Sequence, residues 1–316
     1  MEKNIKAIVN GKLVDKTINR PHKELYKEMF GKELSSTESR KRMYGIKDYI
    51  EKTELATPKG SKTKCLVIND LHLPFQREDV LQIIRENKNV DYIIIGGDLI
   101  DCESCSSFDV LKRPTIEEEL VYAHDFICKI NNIINPEQTK IIAIEGNHEA
   151  RYKKMIIRMI EKQVQSLLNP ALLSMISDGF DVYPNGKKKT YEPISNFEYI
   201  DNWYVRLFDN MVVAHPLNFS NVGGKVSEQM SEYMLNQDII NKDDLVIFGH
   251  THKFSMMKNN RRQGVFVVEN ACLCKEHDYA KIGKLSFTPQ NYGYSIVEFN
   301  EGEKINANDV KFIHLD

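Results

Sequence analysis

The stretch I-I-A-I-E-G-N-H-E-A-R, residues 141–151, sets the pattern from which the fold of this chain can be predicted. Its apolar residues predict a buried strand at residues 140–144, Gly146 ends that strand, and an amphipathic helix is predicted from about Arg151. Asn147 and His148 then lie at the carboxyl end of a strand, where open α/β sheets bind ligands. An amide oxygen beside an imidazole suits a metal ligand next to a proton donor, but a capped tight turn uses the same residues. The stretch alone leaves both interpretations open.

The sequence on both sides of this stretch repeats the alternation of strand and helix. Residues 65–68 and 92–95 predict two more buried strands, and residues 80–84 and 116–134 predict the helices between them. This β-α-β-α-β order predicts a parallel sheet with right-handed crossovers. Further patterns predict helices at residues 152–168 and 226–235 and a hairpin at residues 203–214. They also predict strands at residues 245–248, 265–268 and 294–297. The strand-rich second half therefore predicts a second sheet packed on the first.

Composition is that of a soluble globular protein. The 316 residues are 41% hydrophobic and 28% charged, which is the usual balance for such proteins. No run of about 18 apolar residues predicts a transmembrane helix, and the first residues lack the apolar core of a signal peptide. The six cysteines are too scattered for a disulfide scaffold. We therefore expect a cytoplasmic protein with no membrane partner.

Residues 1–60 differ from the remainder in charge. They contain fourteen Lys and Arg against nine Asp and Glu, a balance of +5, and since the whole chain is −2 the remainder is −7. Helical spacing at residues 21–30 and a capped basic segment at residues 35–50 resemble a helix-turn-helix. Such a module could contact the phosphates of a nucleic acid, or it could pack on the main domain with a solvated basic face. We predict a small basic helical module with its linker at residues 1–60 and a main domain at residues 61–316.

Five strand ends share one chemical pattern, in which an apolar run is followed at once by carboxylate, amide or imidazole groups. The residues are Asp70 and His72, Asp98 and Asp101, Asn147 and His148, His215, and His250 and His252. We expect them to converge at one edge of the sheets. Mixed oxygen and nitrogen donors suit Mn²⁺, Fe, Ni²⁺ or Zn²⁺. Three Asp or Asn oxygens and four imidazoles would give seven ligands, which fit two ions if one carboxylate bridges both. Ions about 3.5–4 Å apart can clamp a phosphoryl oxygen and hold a hydroxide for in-line attack.

The series D-x-H, G-D-x-x-D, G-N-H-E, H and G-H-x-H, in this order, resembles the calcineurin-like metallophosphoesterase superfamily over roughly residues 64–300. The resemblance implies an α/β fold with four α/β/β/α layers, behind the small N-terminal helical module. It implies two divalent ions, with Mn²⁺ expected first and Fe, Ni or Zn as alternatives. One ion would be bound by Asp70, His72, Asp98 and His252, and the other by Asp98, Asn147, His215 and His250. His148 would donate a proton to the leaving oxygen, held by Asp101 or Glu149.

Several further features accompany these motifs. Arg151 could bind a phosphate bidentately, or pair with an acidic neighbour in the first helical turn. Asn69 stands where this superfamily commonly has Ser, a departure from which we expect little effect. The C-x-x-C motif at residues 102–105 should border the metal centre, and together with C-x-C at residues 272–274 it is expected to provide free thiols rather than a zinc knot. Residues 269–285 resemble phage and prophage members of the superfamily.

The expected activity is phosphodiesterase or nuclease action on DNA or RNA, by metal-activated hydroxide with His148 as proton donor. The basic N-terminal module and the phage-like features favour a nucleic-acid substrate. One alternative is a phosphomonoesterase acting on nucleotides, nucleic-acid ends or phosphoprotein, for which Arg151 could help to bind the dianion. Another is a non-catalytic, metal-stabilised nucleic-acid-binding protein, although every expected ligand and His148 are present.

Overall fold

The computed structural model describes residues 62–106, 113–159, 171–220, 222–258, 264–276 and 290–316, together with the backbone of residues 3–9 and 12–18. The chain divides into two units, Met1–Ala56 and Thr57–Asp316. In the first unit, β1 (Lys3–Val9) and β2 (Lys12–Ile18) form an antiparallel hairpin, which the sequence did not predict. The two helices predicted within residues 21–50 lie outside the described residues.

The larger unit contains helices and strands in the predicted order. Its strands are β3 (Lys62–Ile68), β4 (Tyr92–Ile95), β5 (Lys140–Ile144), β6 (Phe180–Val182), β7 (Lys189–Tyr191), β8 (Phe197–Ile200), β9 (Tyr204–Leu207), β10 (Met211–Ala214), β11 (Leu245–Phe248), β12 (Phe254–Lys258), β13 (Phe266–Asn270), β14 (Tyr292–Asn300) and β15 (Val310–Leu315). Its helices are α1 (Val80–Glu86), α2 (Ile116–Asn131), α3 (Glu149–Met159), α4 (Ser174–Asp178) and α5 (Lys225–Asn236). Within the described parts of the chain, no helix is both long and apolar enough to cross a membrane.

Two mixed sheets form the body of this unit. The first has the strand order β15-β14-β3-β4-β5-β8, and the run from β3 to β8 is parallel. The second has the order β12-β13-β11-β10-β9, with β13, β11 and β10 parallel and antiparallel strands at both edges. The predicted parallel sheet, the hairpin β9–β10 and the second sheet are all confirmed. Strands β6, β7, β8, β12 and β15 were not predicted.

Burial on both faces of each sheet explains the apolar runs of the central strands. In the first sheet, Leu66 and Ile93 belong to one core cluster with residues of α1 and α2. Val67, on the opposite face, is also fully buried, because the second sheet covers that face. In the second sheet, Val212 and Val246 pack against α5. Near-continuous Val and Ile runs are typical of strands covered on both sides, and the result is the expected α/β/β/α order of layers.

A buried polar network joins the two sheets at Asn69. Its side-chain amide donates to the carbonyl of Gly96 at 3.0 Å, and its oxygen accepts from Asn270 Nδ2 at 2.6 Å. Asn270 Nδ2 also lies 3.1 Å from the carbonyl of Val67, and Asn270 Oδ1 accepts from the hydroxyl of Ser295. Asn69 therefore has a structural role that we did not expect from the sequence, since it connects β3 and β4 to β13 of the other sheet.

Replacing Asn270 with alanine should lower the free energy of unfolding by about 3 kcal/mol, because each buried polar group left without a hydrogen-bond partner costs about 1–3 kcal/mol. The measurement is the midpoint of urea denaturation for the variant and the parent chain. Asn300→Ala is the matched control, since Asn300 is exposed on β14 and its loss should cost no more than about 0.5 kcal/mol. Equal midpoints for the two variants would contradict a stabilising role for the network.

Candidate metal centre

Strand ends from both sheets meet at one place in the larger unit. The polar residues that follow β3, β4, β5, β10 and β11 lie there, because buried apolar strands leave the first polar residues at their carboxyl ends. The residues expected as ligands are brought together in this cluster: Asp70, His72, Asp98, Asn147, His215, His250 and His252. The hypothesis that these five motifs are unrelated caps and turns does not explain this convergence.

The carboxylate of Asp98 lies in the middle of the cluster. Its Oδ2 atom is 3.2 Å from His215 Nε2 and 3.6 Å from His72 Nε2. On the His215 side, Asn147 Oδ1 lies 3.1 Å from the same His215 nitrogen and 2.6 Å from His250 Nδ1. Asp98 is therefore the carboxylate positioned to contact ions on two sides.

A second group of ligating atoms lies on the His72 side of Asp98. His252 Nε2 is 3.3 Å from His72 Nε2 and 3.5 Å from Asp70 Oδ1. The carboxylate of Asp70 also accepts the backbone N–H of His250 at 3.0 Å. The loop after β11 is thereby held against the loop after β3.

The hydrogen bonds of the Nδ1 atoms of His215 and His72 show which ring nitrogens face the cluster with lone pairs. His215 Nδ1 lies 2.9 Å from the carbonyl of Gly96, and His72 Nδ1 lies 2.8 Å from Asp101 Oδ1. Because a carbonyl and a carboxylate only accept, both Nδ1 atoms carry the proton and both Nε2 atoms can ligate. Several nitrogen and oxygen lone pairs thus face one another at about 3 Å, an arrangement that a cation between them stabilises. The donor set fits divalent transition metals.

The electrostatics of the cluster also favour a bound cation. Burial alone would disfavour a charged imidazole at His215, but the charges of Asp98 and Asp70 and the hydrogen bonds to Asp98 and Gly96 together outweigh burial and raise the pKa of His215 to about 9. Burial also opposes ionisation of Asp98, yet His215 and His148 hold the pKa of Asp98 well below its usual range. The buried carboxylates therefore attract positive charge, which a divalent ion can supply in place of protons.

Backbone strain is concentrated at these strand ends. Five cluster residues adopt left-handed backbone, with φ of 52° at Asp70, 48° at His72, 51° at Asp98, 85° at His250 and 54° at His252. Each such residue costs of order 1–3 kcal/mol, and such residues persist where surrounding contacts over-determine them, typically at functional sites. The cluster is therefore maintained at an energetic cost that packing alone would not require.

Two glycines permit the close approach of the ligands. An added Cβ at Gly97, whose φ is +92°, would lie 2.3 Å from His215 Nδ1. An added Cβ at Gly146 would lie 2.0 Å from Asp98 Oδ1. Both distances are far inside van der Waals contact, so the glycine before Asp98 and the glycine of G-N-H-E each make room for a ligand from another strand end.

His148 lies beside the cluster and is held by Asp101. Its Nδ1 donates to the backbone carbonyl of Asp101 at 2.6 Å and lies 3.1 Å from Asp101 Oδ1. Its Nε2 is 3.8 Å from Asp98 Oδ2 and 2.9 Å from Arg151 Nη2. Burial opposes protonation, but Asp98 and the hydrogen bond to Asp101 raise the pKa of His148 above its usual value. Asp101, which also contacts His72, thus orients two imidazoles.

Glu149 has a different position from Asp101. Its carboxylate accepts the backbone N–H of Ile100 at 2.9 Å and that of Gly146 at 2.9 Å, which ties the loop after β4 to the loop after β5. Burial raises the pKa of Glu149 to about 7. Of the two carboxylates that the sequence offered for holding His148, Asp101 contacts the imidazole directly, and Glu149 braces the loops that carry the cluster.

Sequence reasoning missed three neighbours of His252. Its Nδ1 lies 2.8 Å from Gln290 Nε2 and 3.8 Å from Cys274 Sγ, and the fully buried Cys272 is hydrogen-bonded to its imidazole. None of the six cysteines forms a disulfide, and Cys274 lies with His72 and His252 in a group that could hold a metal ion. The available signal was position, because the C-x-C motif directly follows β13, a strand parallel to β11, whose end carries His250 and His252.

A cavity opens beside the cluster. It has a volume of about 430 Å³, and Asn147 and His215 form part of its wall. Farther from the cluster, the wall includes Trp203, Tyr233 and Lys154. The cluster is therefore continuous with a space large enough for part of a substrate.

Comparison with known proteins gives a family match. The family model of the calcineurin-like phosphoesterases matches residues 63–254, more than half of the chain. No curated protein sequence matches. Similar solved structures include an archaeal phosphodiesterase, with 17% identity, 80% of this chain and 100% of that chain covered, and a TM-score of 0.37. A metallophosphoesterase from Sphaerobacter thermophilus is 13% identical, with 81% of this chain and 89% of that chain covered and a TM-score of 0.40. A dimetal phosphatase from Danio rerio is 9% identical, with 80% of this chain and 99% of that chain covered and a TM-score of 0.33.

Proposed function

This chain belongs to the calcineurin-like phosphoesterase family, and from that premise we propose that it is a phosphodiesterase that cleaves DNA or RNA. Membership makes it a metal-dependent hydrolase of phosphoric esters rather than a non-catalytic binding protein. The observation that carries the diester proposal is that the metal-ligating cluster has two flanks. His148 and Arg151 lie on one flank, and the cavity beside Asn147 and His215 lies on the other.

Helix α3 contributes residues to both flanks. Ala150 and Lys154, which share one face of the helix, line the cavity. Arg151 points about 100° away from Ala150 and about 60° away from Lys154 and contacts His148 Nε2. A diester carries two ester arms on one phosphorus atom, whereas a monoester carries one. The cavity on one flank and the proposed proton donor His148 on the other therefore support a substrate with two arms.

We assign the ligands of two divalent ions to the cluster. In this proposal Asp98 would contribute to both ions, Asp70, His72 and His252 would hold one of them, and Asn147, His215 and His250 would hold the other. The mixed oxygen and imidazole donors make Mn²⁺ the ion of choice for assays, with Fe, Ni²⁺ and Zn²⁺ as alternatives. When bound, such ions act as Lewis acids toward the phosphoryl oxygens and lower the pKa of water for the attack on phosphorus.

His148 is proposed to protonate the leaving oxygen. Asp101 accepts from its Nδ1, which aims Nε2 at the space beside Asp98 and favours the charged imidazole that the step needs. Arg151 Nη2 donates to Nε2 at 2.9 Å. When a phosphate binds, the Arg151 guanidinium would donate to a phosphate oxygen instead of to Nε2, because the charge-assisted hydrogen bond is stronger. Nε2 would then be able to carry the proton.

A nucleic-acid substrate is supported by charge. Residues 1–60 have a balance of +5 within a chain of net charge −2, which favours an anionic partner for that segment. The exposed Lys154 adds positive charge at the wall of the cavity. The second candidate, a phosphomonoesterase for nucleotides, nucleic-acid ends or phosphoprotein, is favoured by Arg151, whose position beside His148 also suits a phosphate dianion.

A substrate panel tests the choice. Single- and double-stranded DNA and RNA, a bis-ester and a mono-ester are incubated with the full chain in Mn²⁺, with a chelator-treated sample as the control. We expect the nucleic acids and the bis-ester to be hydrolysed with kcat/KM at least about tenfold above that for the mono-ester, a difference of 1.4 kcal/mol in transition-state binding. Selective action on the mono-ester would overturn the diester proposal.

A further inference from the structure

We propose that the cavity beside Asn147 and His215 is a nucleobase-binding subsite, which holds one base of the substrate while the attached phosphate lies at the metal-ligating cluster. The substrate class rests on the proposed function, but the binding of a base does not require hydrolysis. The subsite lies on the cavity flank of the cluster, and His148 and Arg151 lie on the other flank. It therefore holds the arm that keeps the phosphate, and the other arm departs beside His148.

Size and position fit this use. The cavity volume of about 430 Å³ is within the range of about 300–1,000 Å³ that is usual for small-molecule sites. Asn147 and His215 belong both to the cavity wall and to the cluster. A phosphate bound at the cluster therefore carries its nucleoside directly into the cavity, without a long linker.

Two aromatic rings form one wall of the cavity. The ring centroids of Trp203 and Tyr233 are 6.4 Å apart, with 49° between their planes. This angle and distance do not allow a base to be sandwiched between them, but each ring offers a face for stacking. Trp203 is held edge-on by Tyr204 at 4.9 Å, whereas Tyr233, on α5, is 54% exposed. Tyr233 is thus the ring on which an incoming base has room to stack.

The polar groups of the wall favour an uncharged ring over a second phosphate. Asn218 and Gln229 line the cavity, and side-chain amides match the donor and acceptor pairs on base edges. Lys154 contributes one positive charge, while Glu145 in the same wall is already paired with Lys153 at 2.7 Å. Aromatic faces with amides and a single cation are the chemistry of base binding in single-stranded nucleic acid.

One apolar residue of the cavity wall is strongly exposed, because Leu217 is 68% exposed. Phe219 and Val222, which follow it closely in the chain, are 56% and 63% exposed. Lys253 Nζ lies 5.0 Å from the centre of the Phe219 ring. Exposed apolar groups beside a pocket mark an interaction surface. Since a base paired in a duplex cannot enter such a cavity, we infer a preference for single strands or frayed ends.

The fluorescence of Trp203, the only tryptophan of the chain, reports binding directly. Adenosine and ribose are titrated separately into the metal-loaded full chain. Saturable quenching by adenosine and none by ribose is expected. Tyr233→Ala should weaken adenosine binding by about 5- to 100-fold, the effect of one lost stacking contact, and Tyr233→Phe should restore it. Tyr183→Ala is the matched control, because Tyr183 is 60% exposed and is not part of the cavity wall.

A kinetic measurement uses two diesters with the same leaving group, the p-nitrophenyl ester of thymidine 5′-phosphate and methyl p-nitrophenyl phosphate. Because the leaving group is the same, the ratio of their kcat/KM values measures what the nucleoside arm contributes to the reaction. We expect this ratio to fall about 5- to 100-fold in Tyr233→Ala, chiefly through KM. Tyr233→Phe and Tyr183→Ala should keep the ratio of the parent chain.

The outcomes separate this inference from the proposed function. Hydrolysis of both diesters at the same kcat/KM, with no quenching by adenosine, would overturn the subsite and leave the phosphodiesterase intact. Adenosine binding that is lost in Tyr233→Ala, without hydrolysis of either diester, would support the subsite and overturn the diesterase. Equal quenching by ribose and adenosine, or adenosine binding unchanged in Tyr233→Ala, would reject the assignment of a base to this cavity.

Discussion

In the Asp98→Ala variant, we expect bound metal to fall from two ions per chain to less than one, and hydrolysis of a diester to fall by about 10³-fold or more. Asp98 lies between the two halves of the cluster, with Oδ2 at 3.2 Å from His215 Nε2 and 3.6 Å from His72 Nε2. Losing the shared carboxylate should therefore weaken both ions. Metal ions contribute several kcal/mol to transition-state stabilisation, and about 1.4 kcal/mol corresponds to a factor of ten in rate.

Elemental analysis of the purified variant, alongside its rate in Mn²⁺, checks this expectation. Asp209→Ala provides the control, because Asp209 is exposed in the turn between β9 and β10. Circular dichroism should show native secondary structure in both variants. Two ions retained in Asp98→Ala would refute the bridging assignment, whatever the rate.

The second large effect is expected for His148→Asn, which should lower kcat by roughly 10²-fold or more for substrates with a nucleoside as the leaving group. A positioned general acid typically contributes about 10²- to 10⁴-fold. Because p-nitrophenolate leaves without protonation near neutral pH, the loss should be much smaller for a p-nitrophenyl ester. The loss should thus increase with the pKa of the leaving alcohol.

Metal content separates this role from ligation. His148 is not among the ligands that we assign, so His148→Asn should retain two ions by elemental analysis. His314→Asn, at an exposed histidine on β15, is the control for the substitution itself. An equal loss for nitrophenyl and nucleoside leaving groups would rule out proton donation, and unchanged turnover would remove His148 from the mechanism altogether.

Much of the central fold could be predicted because its signals are local. The apolar runs of β4 (Tyr92–Ile95) and β5 (Lys140–Ile144) were predicted at their observed bounds. Both strands are covered on two faces, so nearly every residue in them must be apolar. The polar residues that follow were equally visible, since a buried strand can release a ligand only at its end.

The edge strands lacked such a signal. β12 (Phe254–Lys258) and β15 (Val310–Leu315) consist of exposed and half-buried residues apart from the buried Val310, and their sequences mix apolar with charged and polar residues. They become strands by pairing with β13 and β14. β8 (Phe197–Ile200) is buried only at its two terminal residues. Such strands form through pairing with another strand rather than through an apolar pattern of their own, and local propensity does not encode that pairing.

The sequence by itself determined which donors this protein has and in what order they follow its strands, because strand ends and their polar residues are adjacent in the chain. Only the tertiary structure decided that Asp101 rather than Glu149 contacts His148. It also decided that Trp203 and Tyr233 share a wall beside the cluster. Those contacts join residues on separate elements, and their geometry is set by how sheets and helices pack, which no local pattern specifies.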